Sequence, residues 1–184
     1  MGRPSKRAER RAQVARALAR VLGEHGQGGA TLARVAAEAG VAPGLIHHHF
    51  ESRRDLYDAL LGELIGGFRR RTAARAGKDA LEAYVDAALA LDEQSDIDAA
   101  RAWVGVFGEA LSDPVLFAKV RRVLDAQVAE VERRSGGALA EEDASAVVAF
   151  VVGALVFGAF APRKAAGFAA PSLRRLVAGA RVAR

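Results

Sequence analysis

The sequence predicts an all-α protein of about nine helices. Apolar residues recur at spacings of three and four along most of the 184 residues, which is typical of helices with one buried face. Glycine and proline interrupt this pattern at intervals, and no convincing alternation of apolar and polar residues indicates a strand. Cysteine is absent, so neither disulfides nor thiolate metal sites are expected.

Three short helices are predicted within the first fifty residues. The first covers residues 7–23, with apolar side chains on one face and arginines on the other. Thr31 is the expected N-cap of the second helix, and Gly40 ends it in the left-handed conformation that glycine adopts readily. The third helix covers residues 42–50, with Pro43 in its first turn. Two short helices joined by a tight turn are typical of a DNA-binding helix-turn-helix, although an ordinary helical bundle has the same pattern.

Positive charge is concentrated in the same segment. The formal net charge is +5, and residues 1–50 contain eight basic residues against three acidic ones, which accounts for the whole excess. A basic segment on a neutral body is typical of phosphate binding, whereas a solvated tail has the same composition. The basic residues are not followed by the apolar run of a secretory signal, and we expect a cytoplasmic protein.

The residues of this segment resemble the TetR family of transcriptional regulators. The resemblance covers about residues 8–65 and rests on TLARVAAEAGV at 31–41, GLIHHHF at 44–50 and SRRDL at 52–56. In the family, a threonine opens the second helix, an Ala-Gly-Val-like turn follows, and the recognition helix ends in His-Phe. A basic residue then begins the fourth helix. The resemblance implies a sequence-specific DNA-binding regulator that acts as a repressor.

The resemblance also implies roles for individual residues. Phosphate contacts are expected from Thr31, His49 and Arg53. His47 replaces the usual tyrosine, so its contact is predicted to depend on pH. The base-reading positions are Ala33, Pro43, Gly44 and Leu45, with Arg34 and His48 as further candidates. Because those four residues offer no side-chain hydrogen bond, we expect readout through thymine methyl groups and DNA shape. The N-terminal arm is expected to reach a minor groove through Arg3, Lys6 and Arg7.

The three adjacent histidines, residues 47–49, are not predicted to bind a metal. Neighbouring side chains on a helix point about 100° apart and do not converge on one ion. The sequence also lacks paired-carboxylate motifs, a phosphate-binding glycine loop and metal-ligand spacing. We therefore expect no cofactor, no metal and no enzymatic activity.

The resemblance divides the chain into a helix-turn-helix DNA-binding domain, residues 1–54, and a helical effector-binding and dimerisation domain, residues 55–184. Ser52 and Asp113 carry helix-start signals within or beside the second domain. Its predicted helices cover about residues 52–76, 79–92, 96–111, 114–134, 144–161 and 171–182.

The second domain contains candidate residues for binding a small effector. The segment AWVGVFGEALSDP at 102–114 resembles the BetI-type C-terminal domain. The candidate effector pocket comprises Tyr84, Trp103, Phe107 and Glu109. Aromatic residues with this carboxylate would suit a cation, whereas the same aromatic residues at helical spacing also suit a plain hydrophobic core.

Residues 144–161 form an uncharged segment of 18 residues, just long enough to cross a membrane. A membrane-associated protein is therefore the alternative to a soluble regulator. The segment is rich in alanine and glycine, and we expect a helix that is buried on all faces. The small residues Ala149, Gly153, Ala154 and Gly158 are expected to allow another helix to approach closely. We therefore predict a homodimer through 144–161 and 171–182, with operator DNA and an unknown small molecule as partners and no membrane.

Overall fold

The computed structural model describes residues 5–75, 79–89, 91 and 94–182. These residues form nine α-helices and no strand, which confirms the predicted fold class. The helices are α1 (Lys6–Gly29), α2 (Leu32–Ala39), α3 (Pro43–His49), α4 (Arg53–Ala73), α5 (Ala80–Ala88), α6 (Gln94–Ala110), α7 (Pro114–Arg134), α8 (Glu141–Phe160) and α9 (Pro162–Val182).

The first helix is longer than the sequence predicted. It continues past residue 23 to Gly29, and Gly26, at φ 65°, kinks it without ending it. A contact with another helix stabilises the last turn, because the Gln27 side chain donates a hydrogen bond to Glu109 of α6 at 3.0 Å. Tertiary contact therefore outweighs the low helix propensity of glycine in this segment.

The N-terminal helices share a core with α6. Leu18, Val35, Ile46 and Leu60, from the first four helices, are buried in one cluster with Val106 of α6. A Cβ atom built on Gly105 of α6 would lie only 3.0 Å from a methyl group of Leu22, so α1 and α6 pack closely. A displacement of α6 would therefore be felt directly by α1.

A second core lies among α5, α7, α8 and α9. Its fully buried members include Tyr84 of α5, Val131 of α7, Ala144 of α8 and Leu173 of α9. By length and composition α8 could cross a membrane, but one side of the helix forms part of this core. The membrane alternative is therefore not favoured.

The prediction that the uncharged helix is buried on every face is wrong for the single chain. Val147, Val151 and Ala154 face the core, whereas Phe157 is 44% exposed and Phe160 is 80% exposed. The reason is that α6, α7 and α9 cover only part of the circumference of α8. One apolar face of this helix is left open to solvent.

The last helix begins earlier than predicted, at Pro162 instead of Pro171. The carbonyl of Ala161 accepts hydrogen bonds from the backbone of Lys164 and Ala165 at 3.1 and 3.0 Å, so helix geometry starts at once. Pro162 is tolerated there because backbone N–H groups in the first turn of a helix have no acceptor within the helix, so the missing N–H of proline costs no hydrogen bond. Pro171 instead lies inside α9, on its exposed side.

Candidate DNA-binding surface and ligand cavity

The turn between α2 and α3 has the geometry that its sequence predicts. Thr31 caps α2, and its Oγ1 accepts a hydrogen bond from the backbone N–H of Arg34 at 3.3 Å. Gly40 ends the helix at φ 64° and ψ 38°. The N–H of Val41 then donates to the carbonyl of Ala36 at 3.0 Å, which closes the turn and fixes α3 relative to α2.

The third helix presents opposite faces to the core and to solvent. Ile46 is buried, as is Phe50 at the C-cap, and these two side chains anchor α3. The exposed residues of α2 and α3 that the sequence selects are Thr31, Ala33, Arg34, Pro43, Gly44, His47 and His48, and Leu45 is half-buried. Arg34 also donates from Nη1 to the carbonyl of Gly29 at 3.0 Å.

Basic residues of α1 lie beside the histidines of α3. A shallow cleft is lined by Lys6, Arg7, Arg10, Leu45, His48 and His49. The structure thus brings two members of the predicted N-terminal arm, Lys6 and Arg7, next to the predicted recognition helix. Arg3 lies outside the described residues. Arg10, which belongs to the same basic run, lines the cleft with Lys6 and Arg7.

His49 differs from its two neighbours because its ring is partly buried. Its Nδ1 is buried with no hydrogen-bond partner among the described residues. Burial, together with the positive charges of His48, Arg7, Arg10 and Arg11, lowers the pKa of His49. The ring is therefore mainly neutral near neutral pH and carries one N–H that can be donated to an acceptor.

Arg11 joins the three elements that surround this histidine. Its guanidinium binds the carboxylate of Asp55 through two hydrogen bonds, at 2.9 and 2.5 Å, and also donates to the carbonyl of His49. The same group lies 4.4 Å from the centre of the Phe50 ring. α1, the end of α3 and the start of α4 are fixed to one another by this side chain.

Arg53 and Glu109 form an ion pair between α4 and α6. Nε and Nη2 of Arg53 bind the two carboxylate oxygens of Glu109 at 2.8 and 3.1 Å, and Nη2 also donates to the hydroxyl of Tyr57. Burial opposes ionisation, but the hydrogen bonds from Arg53 and Gln27 leave the pKa of Glu109 below its ordinary value. One residue on, Arg54 binds Asp113 at 2.6 Å.

The aromatic candidates of the second domain line a cavity of about 70 Å³. Tyr84, Trp103 and Phe107 form part of its wall. Glu109 does not line the cavity with them, because its side chain is turned toward Arg53 and Gln27. Sequence reasoning missed Phe68, Arg71 and Gln127, which line the same cavity from α4 and α7.

The aromatic rings of this wall pack against each other. The ring centroids of Trp103 and Phe107 lie 5.6 Å apart, and those of Phe68 and Tyr84 lie 5.4 Å apart at an interplanar angle of 81°. Burial raises the pKa of the Tyr84 hydroxyl, which therefore stays protonated. Arg71 donates a hydrogen bond from Nε to the carbonyl of Ala87, in the last turn of α5, at 3.1 Å.

Apolar side chains are exposed along α8 and α9. The large ones are Val156, Phe157, Phe160, Phe168 and Leu176. The rings of Phe157 and Phe168 meet edge to face with centroids 5.5 Å apart. Ala149 and Gly153, which are small, are also exposed on α8. We call this set of residues the α8–α9 face.

A helix-turn-helix with basic residues beside it, in a chain whose other helices surround a cavity, is the arrangement of a DNA-binding regulator. Residues 14–60 match the family of bacterial regulatory proteins called tetR. The chain is 30% identical over 161 residues to the HTH-type transcriptional regulator BetI of Burkholderia cenocepacia, covering 83% of each chain. It is 29% identical to BetI of Burkholderia thailandensis over the same length.

Solved structures share the fold. A transcriptional regulator from Rhodococcus sp. Rha1 matches with a TM-score of 0.80 and 24% identity, covering 91% of this chain and 94% of that one. A transcriptional regulator from Saccharomonospora viridis, crystallised with choline, matches with a TM-score of 0.71 and 19% identity, covering 92% and 95%. The chain therefore belongs to the TetR family of DNA-binding transcriptional regulators, with relatives that are BetI regulators and not enzymes.

Proposed function

We propose that the protein is a cytoplasmic repressor that binds operator DNA as a homodimer and dissociates when a small molecule occupies the cavity. One observation carries this proposal: Lys6, Arg7 and Arg10 of α1 line one cleft with Leu45, His48 and His49 of the exposed helix α3. A surface of this kind combines phosphate contacts with access to the bases.

The phosphate contacts are assigned to three groups. The hydroxyl of Thr31 lies at the N-terminus of α2, where unpaired N–H groups and the helix dipole favour an anion. Lys6, Arg7 and Arg10 supply positive charge beside α3. The neutral ring of His49 donates one hydrogen bond. Neutralisation of phosphates by such cations makes the affinity fall with salt concentration.

Base readout is assigned to the exposed end of α3. Pro43, Gly44 and Leu45 offer apolar contact and a close backbone approach, and Ala33 offers a methyl group from α2. These groups recognise thymine methyl groups better than they recognise hydrogen-bond patterns. Arg34 and His48 are the hydrogen-bonding side chains closest to this set. We therefore propose that DNA shape supplies much of the specificity.

The α8–α9 face is assigned to the homodimer interface. Covering the exposed phenylalanines with a second apolar surface would remove their apolar area from water, which favours association. Small residues at Ala149 and Gly153 allow the partner's helix to approach closely. A two-fold axis through this face would build a four-helix interface and place two recognition helices on one side of the dimer.

The cavity is assigned to an uncharged, largely apolar effector. Among its described lining residues there is no carboxylate, and the formally charged one is Arg71. A cation would lose its hydration in this cavity without gaining an opposite charge. Choline is bound by the Saccharomonospora viridis regulator. We propose that this chain instead prefers a neutral molecule of similar shape.

Effector binding is expected to move α6. The cavity of about 70 Å³ is smaller than the roughly 150 Å³ of an engineered protein cavity that admits benzene, so a ligand must push its walls apart. Trp103 and Phe107 on α6 belong to these walls. Because Gly105 packs directly on Leu22 of α1, the displacement would reach the DNA-binding helices and change the spacing of the two recognition helices.

The proposal is tested by titrating the protein with a fluorescent duplex taken from upstream of its own gene, at several salt concentrations. We expect binding that weakens steeply with salt, and a salt slope that is shallower by about 0.9 for each phosphate that Arg7→Gln no longer neutralises. Arg121→Gln, an equally exposed arginine on α7, is the matched control and should bind like the wild type. Binding that does not depend on salt would contradict the proposal.

A further inference from the structure

We propose that Glu109 of α6 acts as a latch that keeps Arg53 from binding DNA phosphate, and that α6 controls DNA affinity by holding or releasing this arginine. The inference rests on the proposed DNA-binding function and on the phosphate contact that the family resemblance implies for Arg53. It adds a regulatory residue that lies outside both the DNA-binding helices and the cavity.

The geometry shows which donors of Arg53 are engaged. One edge of its guanidinium, Nε and Nη2, is matched to both oxygens of Glu109, and the second hydrogen of Nη2 is directed to Tyr57. A phosphate that took the same edge would have to displace the carboxylate, because two anions cannot share these donors. In the observed state this edge is therefore closed to DNA.

The two residues of the pair differ in their exposure to solvent, as a switch requires. The side chain of Glu109 is 17% exposed, whereas that of Arg53 is 48% exposed at the surface that begins α4. Gln27 of α1 donates to the same carboxylate at 3.0 Å, so Glu109 keeps a partner when Arg53 leaves. Because the pair joins α4 to α6 through two directed hydrogen bonds and its Arg53 side is open to solvent, we expect a displacement of α6 to break it.

The position of Glu109 connects it to the cavity. Phe107, two residues earlier on α6, lines the cavity wall, and Glu109 lies in the last turn of the same helix. Arg54, next to Arg53, is paired with Asp113 in the turn that follows α6. Arg53 and Arg54 are thus both paired with carboxylates at the C-terminal end of α6. Whether these two arginines are available to bind phosphate therefore depends on the position of that helix.

The experiment measures affinity for a fixed non-specific duplex as a function of salt, for the wild type, Glu109→Gln, Arg53→Gln and the double variant. Non-specific DNA reports phosphate contacts without knowledge of the operator. We expect Glu109→Gln to bind about two- to fivefold more tightly, the range that an exposed ion pair supports, with a steeper salt slope. We expect no gain from Glu109→Gln in the Arg53→Gln background.

Two further variants separate a latch from simple repulsion. Glu109→Asp keeps the negative charge but is one methylene shorter, so its carboxylate no longer reaches Arg53, and it should also tighten DNA binding. Glu130→Gln removes a glutamate that pairs with Arg133 and Arg134 at the far end of α7, and it should not change DNA affinity. Thermal unfolding followed by circular dichroism verifies that each variant is folded.

The outcomes distinguish this inference from the proposed function. Salt-independent binding by the wild type would contradict the proposed function itself. Salt-dependent binding in which Glu109→Gln and Glu109→Asp bind no more tightly would overturn only the latch. An equal gain in the presence and absence of Arg53 would also overturn it, since Glu109 would then act as an ordinary repulsive charge.

Discussion

Arg11 of α1 and Asp55 of α4 form a bidentate ion pair at 2.9 and 2.5 Å, which joins α1 to the start of α4 beside the end of α3. The two side chains are 26% and 30% exposed, so the pair is partly shielded from solvent. Arg11 also contacts His49 and Phe50, so the ion pair helps to hold the end of α3 in place.

Asp55→Asn is expected to destabilise the protein by about 1 kcal/mol, because one charge of a partly shielded pair is removed. The hydrogen bonds from Arg11 lower the pKa of Asp55, which burial opposes. The pair therefore stabilises the fold above the ordinary pKa of aspartate, about 3.9, and this contribution is lost as pH falls through the lowered pKa.

The measurement is thermal unfolding of the wild type and Asp55→Asn from neutral to acidic pH. The difference between them should be constant near neutrality and shrink toward the acidic end. Glu63→Gln is the control, because Glu63 forms a single 2.9 Å contact with a more exposed arginine, Arg16. A difference that grows on acidification would refute the assigned role.

Removal of the Thr31 hydroxyl should affect both stability and DNA binding. Thr31→Ala removes the N-cap of α2, which is expected to cost about 1 kcal/mol of unfolding free energy, and it also removes the proposed hydrogen bond to phosphate. Thr31→Ser retains the hydroxyl and should stay close to the wild type in both respects. If Thr31→Ala bound DNA like the wild type while remaining folded, the assignment of Thr31 to a phosphate would be wrong.

A charge placed in the α8–α9 face should separate the protomers. Phe157→Glu buries an unpaired carboxylate if the face is an interface, so we expect a monomer by sedimentation equilibrium. Phe117→Glu is a matched control on α7, where the phenylalanine is 50% exposed and lies outside this face. Dissociation by Phe117→Glu, with Phe157→Glu still dimeric, would place the interface elsewhere.

The charge preference of the cavity is tested with two molecules of nearly the same shape. We expect calorimetry to show tighter binding of the neutral analogue of choline, in which a tert-butyl group replaces the trimethylammonium group, than of choline itself. Trp103→Ala, which removes part of the wall, should weaken binding of the analogue. Tighter binding of choline would show that the aromatic rings provide enough cation–π attraction to offset the missing carboxylate.

Local chemistry explains what the sequence could predict. Thr31, Ser52 and Asp113 were expected to begin helices, and each accepts hydrogen bonds from the first turn that follows it. Gly40 has the expected left-handed conformation. These features depend on residues three or four positions apart, so the sequence contains the whole signal.

Contacts between distant segments were not predictable in the same way. Glu109 was assigned to the cavity from its spacing to Trp103 and Phe107, but its partner is Arg53, which is 56 positions away. The early start of α9 and the extension of α1 past Gly26 also depend on how neighbouring helices pack. No local pattern records such pairings, because the fold alone decides which side chains meet.

The central claim, a dimeric helix-turn-helix protein that recognises a defined operator, is tested most directly by selecting bound DNA from a random pool. The account predicts enrichment of a two-fold symmetric sequence, with half-sites centred about one helical turn or a multiple of it apart. The enrichment should disappear in Thr31→Ala. A pool that stays random, or an enriched sequence without two-fold symmetry, would contradict the claim.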